Sequence, residues 1–187
     1  MVFSLFRREQ RRDTISTLYG MIVAQARLPV FYRDYAVADT VNGRFDLVVL
    51  HLALVIERLT VEGRLQSAGQ ALFDRFCRDM DDNLREIGIS DLKVPKEMRR
   101  MGEAFYGRSQ AYLAALAGGD DIGLVEALGR NVYAGAPDAL ASAPRLAAYV
   151  REAVRDLEIQ DLAAIASGQV HFPVPTEIPV NIALTTA

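Results

Sequence analysis

DTVNGRFDLVVLHLALVIERL, residues Asp39 to Leu59, is the stretch that decides the fold. From Leu47 to Ile56 it is apolar apart from His51, with Arg44 and Asp46 before the run and Glu57 and Arg58 after it. At helical pitch the apolar positions go all the way round, the pattern of a helix surrounded by protein or lipid. A hydrocarbon core needs about twenty such residues, so the run is read as a core helix. Asp39 or Thr40 suits its N-cap, and the helix is predicted to end near Val61. Arg44, His51 and Arg58 recur every seven residues and share one stripe. Polar groups on so apolar a helix need partners. Arg58 is therefore expected to pair with a carboxylate or to lie at an opening in the surface. His51 is expected to be buried and structural, bonded to Asp39 or to a helix-end carbonyl.

Outward from this helix the chain reads as helical throughout. Ile15, Leu18, Tyr19, Ile22, Val23 and Ala26 give an amphipathic helix ending before Pro29. The aromatic-rich segment from Pro29 to Phe45 reads as a packed connection. A third helix opens at Ser67, and Gly88 suits its left-handed end. Pro95 fits the first turn of a fourth, which carries Met98, Met101, Phe105, Tyr112 and Leu116 inward and stops at Gly118-Gly119. A shorter helix is capped by Asp120 or Asp121, another starts at Pro144, and Asp161 to Ala166 adds a turn stopped by Gly168. No stretch alternates like a strand. The prediction is an all-α fold: one compact, bundle-like domain of six to seven helices over residues 13–173. Before it lies a basic amphipathic segment, 1–12, and after it an extended, proline-containing tail, 174–187.

Composition narrows the function. The 187 residues are 51% hydrophobic, enough for one sizeable core, and the net charge of −3 gives no overall basic field for nucleic acid. The lone cysteine, Cys77, rules out an internal disulfide and a thiolate cluster. No secretory h-region follows the first arginines, so the protein is expected in the cytoplasm, with any membrane contact peripheral. That contact would fall at the N-terminus, where Phe3 and Phe6 stand beside Arg7, Arg8, Arg11 and Arg12.

Chemistry-bearing residues are few. Asp79, Asp81, Asp82 and Glu86 could hold Mg2+ against a diphosphate, as on an isoprenoid enzyme. The commoner reading is a solvated helix face with Arg78–Asp82 and Asp81–Arg85 pairs. Cys77 suits a small buried hydrophobe better than a nucleophile, and two histidines make no zinc site. No catalytic residue, cofactor or metal is assigned. Lys93, Lys96, Arg99 and Arg100, with Arg108 farther on, form a basic patch at a helix N-terminus, where cations oppose the macrodipole. Phosphate of RNA or of anionic lipid would suit it, and so would an ordinary charged surface. Gly107, inside a helix, suggests the close approach of another helix.

The central run, together with FDRFCRDMDDNLREIGISDLKVPKEMRRMGEAFYGRSQAY (Phe73 to Tyr112), GLVEALGRNVY (Gly123 to Tyr133) and LAAYVREAVRDLEIQDLAAIASGQVHFP (Leu146 to Pro173), resembles the ubiquinol–cytochrome c chaperone family. The resemblance spans roughly Leu18 to Pro173, and the short N-terminus is similar to that of bacterial members. It implies a non-enzymatic assembly factor for respiratory complex III that binds newly made cytochrome b, with no cofactor. Implied neighbours are the ribosome, the inner face of the bacterial inner membrane, and a second copy or a small partner protein. Arg44, Arg58, Lys93, Lys96, Arg99 and Arg100 are the candidate partner-binding residues. An apolar groove for a client helix is implied too; Met80, Met98 and Met101 could line it, although core positions are the commoner reading for all three. Alternatives are a helical enzyme using the Asp79–Glu86 face and a generic peripheral adaptor.

Overall fold

The computed structural model describes residues 2–134 and 136–179, with side chains from Arg12 onward apart from Glu62, Pro137 and Asp138. It is all-α. Six helices of 11 residues or more form the body: α1 (Val2–Ala26), α3 (Val41–Thr60), α4 (Gln66–Glu86), α5 (Val94–Ala117), α6 (Asp121–Asn131) and α8 (Ala143–Ile159). Three short ones connect them: α2 (Pro29–Arg33), α7 (Pro137–Leu140) and α9 (Leu162–Ala166). Helix α2 falls in the stretch read above as a connection, and α7 just before the helix predicted to start at Pro144. Four or five residues are too few for a helical period to show in sequence.

Helix α3 lies in the middle, against α1, α4, α5, α8 and α9. Every side chain from Asp46 to Val55 is buried, as its all-round apolar pattern requires. Thr40 caps it by accepting from Gly43 N–H at 3.1 Å, and Asp120 caps α6 in the same way at 2.8 Å. The α3–α4 contact is close because Gly69 has no side chain. A Cβ there would stand 2.5 Å from Thr60 Cγ2. Gly88 takes φ +85 after α4, the left-handed conformation that ends the helix. Gly107 is different from what its place in a helix suggested: a Cβ there would meet open space within 4 Å, so no helix approaches it.

The basic stretch 1–12 is not set apart from the first helix, since the α1 backbone begins at Val2. Arg12 is exposed; the side chains of Phe3, Phe6, Arg7, Arg8 and Arg11 lie outside the described residues. At the other end the packed body continues past Pro173. A 3-10 turn at Pro175–Glu177 interrupts the extended chain. Tyr35 Oη donates to Pro175 O at 2.6 Å, Arg145 donates to Ile178 O at 3.3 Å, and Pro175 and Ile178 are buried.

His51 holds α3 to α1 and α8. Its ring is fully buried, with Nδ1 2.7 Å from Leu47 O and Nε2 2.8 Å from Tyr149 Oη. A carbonyl only accepts, so Nδ1 carries the proton and Nε2 accepts from the tyrosine hydroxyl. Tyr149 Oη in turn accepts from Gln25 Nε2 at 3.0 Å. The histidine is structural, as expected, but its carbonyl partner is one turn back in α3 rather than at a helix end. Burial lowers its pKa to about 4. Asp46, buried against Arg108 at 2.9 Å, is pushed the other way by desolvation, up to about 6.

These two groups oppose each other in acid. Between pH 6.5 and 4 the unfolded chain protonates His51 and the folded chain does not, so stability falls as pH falls. Asp46 takes up its proton near pH 6 when folded and near 3.8 when unfolded, so the same acidification favours the fold. Each contribution is roughly 3 kcal/mol. Asp46→Asn removes one of them. Urea melts from pH 7 to 4 are expected to show this variant losing roughly 2 kcal/mol more than wild type over that range. Parallel pH profiles for the two proteins would refute the pairing.

Candidate functional site

Helices α4 and α5 form an antiparallel hairpin closed by residues 87–93, with Phe73 against Phe105 at 5.0 Å and against Tyr106 at 5.4 Å. Phe45 of α3 joins Phe76 at 6.2 Å, and Phe76 meets Phe105 at 5.7 Å, making an aromatic layer across three helices. Beyond this layer α3 continues only to Val41, about 6 Å along its axis at the usual rise. Along their own axes α4 runs on to Glu86 and α5 back to Val94, about 15 Å each. The hairpin therefore overhangs the start of α3.

The overhang carries the three methionines. Met98 and Met101 keep the inner-face spacing of Phe105 and Tyr112, yet both are half-exposed, as is Met80. Met80 packs against the edge of the core; Met98 and Met101 lie beyond it. The expectation that all three are core holds at its edge for Met80 and is corrected for Met98 and Met101, which face inward beyond the start of α3. Flexible thioethers on a half-open face suit an apolar partner of variable shape. Cys77, also half-buried, keeps its thiol because burial raises its pKa.

Lys93, Lys96, Arg99 and Arg100 stand at the outer end of the hairpin and are all exposed. Arg100 pairs with Glu97 at 3.0 Å. Among the described residues, Lys93, Lys96 and Arg99 have no carboxylate partner. Arg108 does not belong to this patch. It turns inward to Asp46, with its guanidinium 5.8 Å from the Phe45 ring centre.

The stripe on α3 divides. Arg44 pairs with Asp39 at 2.7 Å on the surface and lines a cleft of about 440 Å³ with Arg27, Pro29, Tyr32 and Arg33. Among the described residues Arg58 has no carboxylate partner, and its partly exposed side chain is taken up by backbone carbonyls instead. Its Nε donates to Leu157 O at 2.6 Å, and one terminal nitrogen donates to Glu158 O at 3.1 Å and Gln160 O at 2.9 Å. These carbonyls are the open end of α8, so the guanidinium caps that helix and meets the negative end of its dipole. The sequence reading missed this because a carbonyl-lined helix end has no residue type to mark it.

The acidic face is held in local contacts. Asp79 accepts from Tyr19 Oη at 2.9 Å and pairs with Arg75 at 3.5 Å, while Asp81 pairs with Arg85 at 2.7 Å. The expected Arg78–Asp82 pair gives way to Arg75–Asp79, one turn earlier. Among the described residues no three His, Cys, Asp or Glu side chains converge as metal ligands. No helix among them is long and apolar enough to cross a membrane.

A sequence profile of the family described as ubiquinol-cytochrome C chaperone matches residues 33–172. The chain belongs to this family. The matched region runs from the end of α2 through the hairpin and α8 to Phe172, whose ring lies 5.3 Å from that of His51. The chain is also similar to the ubiquinol-cytochrome-c reductase complex assembly factor 1 of Xenopus laevis, 26% identical over 145 residues, covering 77% of this chain and 72% of that protein. Among solved structures, a crystal structure of the Cbp3 homolog from Brucella abortus superposes with a TM-score of 0.85 and 35% identity. That match covers 96% of this chain and 100% of the other.

Proposed function

We propose that this protein is a non-enzymatic assembly chaperone of respiratory complex III. It shields an apolar helix of newly made cytochrome b against the methionine shelf of the α4–α5 overhang. Family membership supports the complex, and the name of the Xenopus relative speaks of the same assembly. The partly buried Met98 and Met101, on an inner helix face outside the core cluster, with Met80 at the edge of that cluster, are the observation that carries the client site. A transmembrane segment awaiting its partners has apolar surface all round, and a flexible sulfur-lined shelf can hold it without demanding one shape. The surrounding cations would keep the complex soluble and oriented.

Deletion of the gene tests the assembly role. Cells lacking the protein are expected to lose cytochrome b and ubiquinol–cytochrome c reductase activity while their other respiratory enzymes persist. Normal cytochrome b spectra and normal reductase activity in the deletion strain would sink the proposal.

A further inference from the structure

The outermost point of the hairpin does not resemble a solvent-facing turn. Leu92 is 94% exposed and Ile87 is 72% exposed, two aliphatic side chains at the end of an overhanging element. Directly behind them come Lys93, Lys96, Arg99 and Arg100. Two acids of this tip are engaged, Asp91 with Arg85 and Glu97 with Arg100. Among the described residues, exposed Glu86 at the end of α4 takes no ion pair, and Lys93, Lys96 and Arg99 have no carboxylate partner. Lys93 and Lys96 also sit at the N-terminal end of α5, where the helix dipole disfavours cations. Local stability therefore explains neither the aliphatic pair nor the charges around it.

We infer that the α4–α5 turn is a membrane-docking tip for an anionic bilayer. Ile87 and Leu92 enter the boundary between headgroups and acyl chains, and Lys93, Lys96 and Arg99 meet the lipid phosphates. Charge complementarity favours this occupant, since basic side chains beside apolar ones are the composition that binds anionic interfaces. Size favours it over a protein partner. Two aliphatic side chains fall far short of the ~800 Å² per partner of a standard protein interface, whereas a bilayer needs no matched shape. Long lysine and arginine stems can also lie along the apolar zone while their heads stay at the phosphates. The inference stands apart from the client site, because it rests on the outer end of the hairpin rather than on its methionine shelf.

The chain has no tryptophan, so full-length protein carrying Leu92→Trp reports on the tip alone. With vesicles of phosphatidylglycerol and phosphatidylcholine at low salt, its emission is expected to shift to the blue and resist an aqueous quencher. Pure phosphatidylcholine is expected to leave it unchanged. In flotation assays with the native residue at 92, Lys93→Ser/Lys96→Ser/Arg99→Ser is expected to weaken binding to the anionic vesicles about tenfold and flatten its salt dependence. Ile87→Ser/Leu92→Ser is expected to weaken it several-fold with the thermal melt unchanged. The inference is overturned if full-length protein does not bind these vesicles, or if it binds while the tryptophan at the tip stays water-exposed. It is also overturned if the basic variant loses only ribosomal RNA, which would make the patch an RNA contact.

Discussion

Arg58→Ala is expected to destabilise the protein by roughly 2–4 kcal/mol, measured by urea or thermal melts. Three charge-assisted hydrogen bonds disappear together, each individually worth about 1.5–3 kcal/mol when well shielded and less at a half-buried site. The carbonyls of Leu157, Glu158 and Gln160 then lose their shared donor. The damage should spread beyond α8. Gln160 brackets His171 from both sides, donating to its carbonyl at 3.0 Å and accepting from its N–H at 2.8 Å. That bracket aligns the segment carrying Phe172 onto the His51 ring, so loosening the α8 end loosens the cover of the core. Arg58→Lys keeps a charge near the dipole without the planar fork, and about half of the lost stability should return. Any loss of complex III in an Arg58→Ala strain should then follow falling protein abundance and recover at lower growth temperature. A melt within 0.5 kcal/mol of wild type would return Arg58 to the candidates for partner contact.

How much of this could be read from sequence depended on the range of the interaction. Thr40 and Asp120 as caps, Pro95 in a first turn and Gly88 as a left-handed stop are signals carried within a few residues, and the structure has each in place. The burial of His51 between Arg44 and Arg58 follows from one helix's periodicity. The methionine shelf shows where that reasoning stops. Register puts Met98 and Met101 on an inner face, but half-exposure arises because α3 begins too late to cover them, a relation between the lengths of three helices. The Asp46–Arg108 pair and the Arg58 cap lie farther still from local pattern, since Arg58 reaches carbonyls 99 to 102 residues away. Gly107 misled for a plain reason: a glycine in a helix can face a neighbour or face water, and sequence does not separate the two.

The second large effect concerns the shelf itself. Met98→Glu with Met101→Glu places two carboxylates on half-exposed positions beyond the core edge. Neither methionine packs into the sealed interior, so the melt should move by less than about 1 kcal/mol. For an apolar client helix the change is severe, because binding would require desolvating both charges without partners. Folding and function are therefore separable at this one surface. The decisive measurement is ubiquinol–cytochrome c reductase activity in a deletion strain carrying the double variant, with its abundance and melting temperature matched to wild type. Activity at the level of the empty deletion strain is the expected result; full rescue by the folded double variant would contradict the assignment of the client to the α4–α5 shelf.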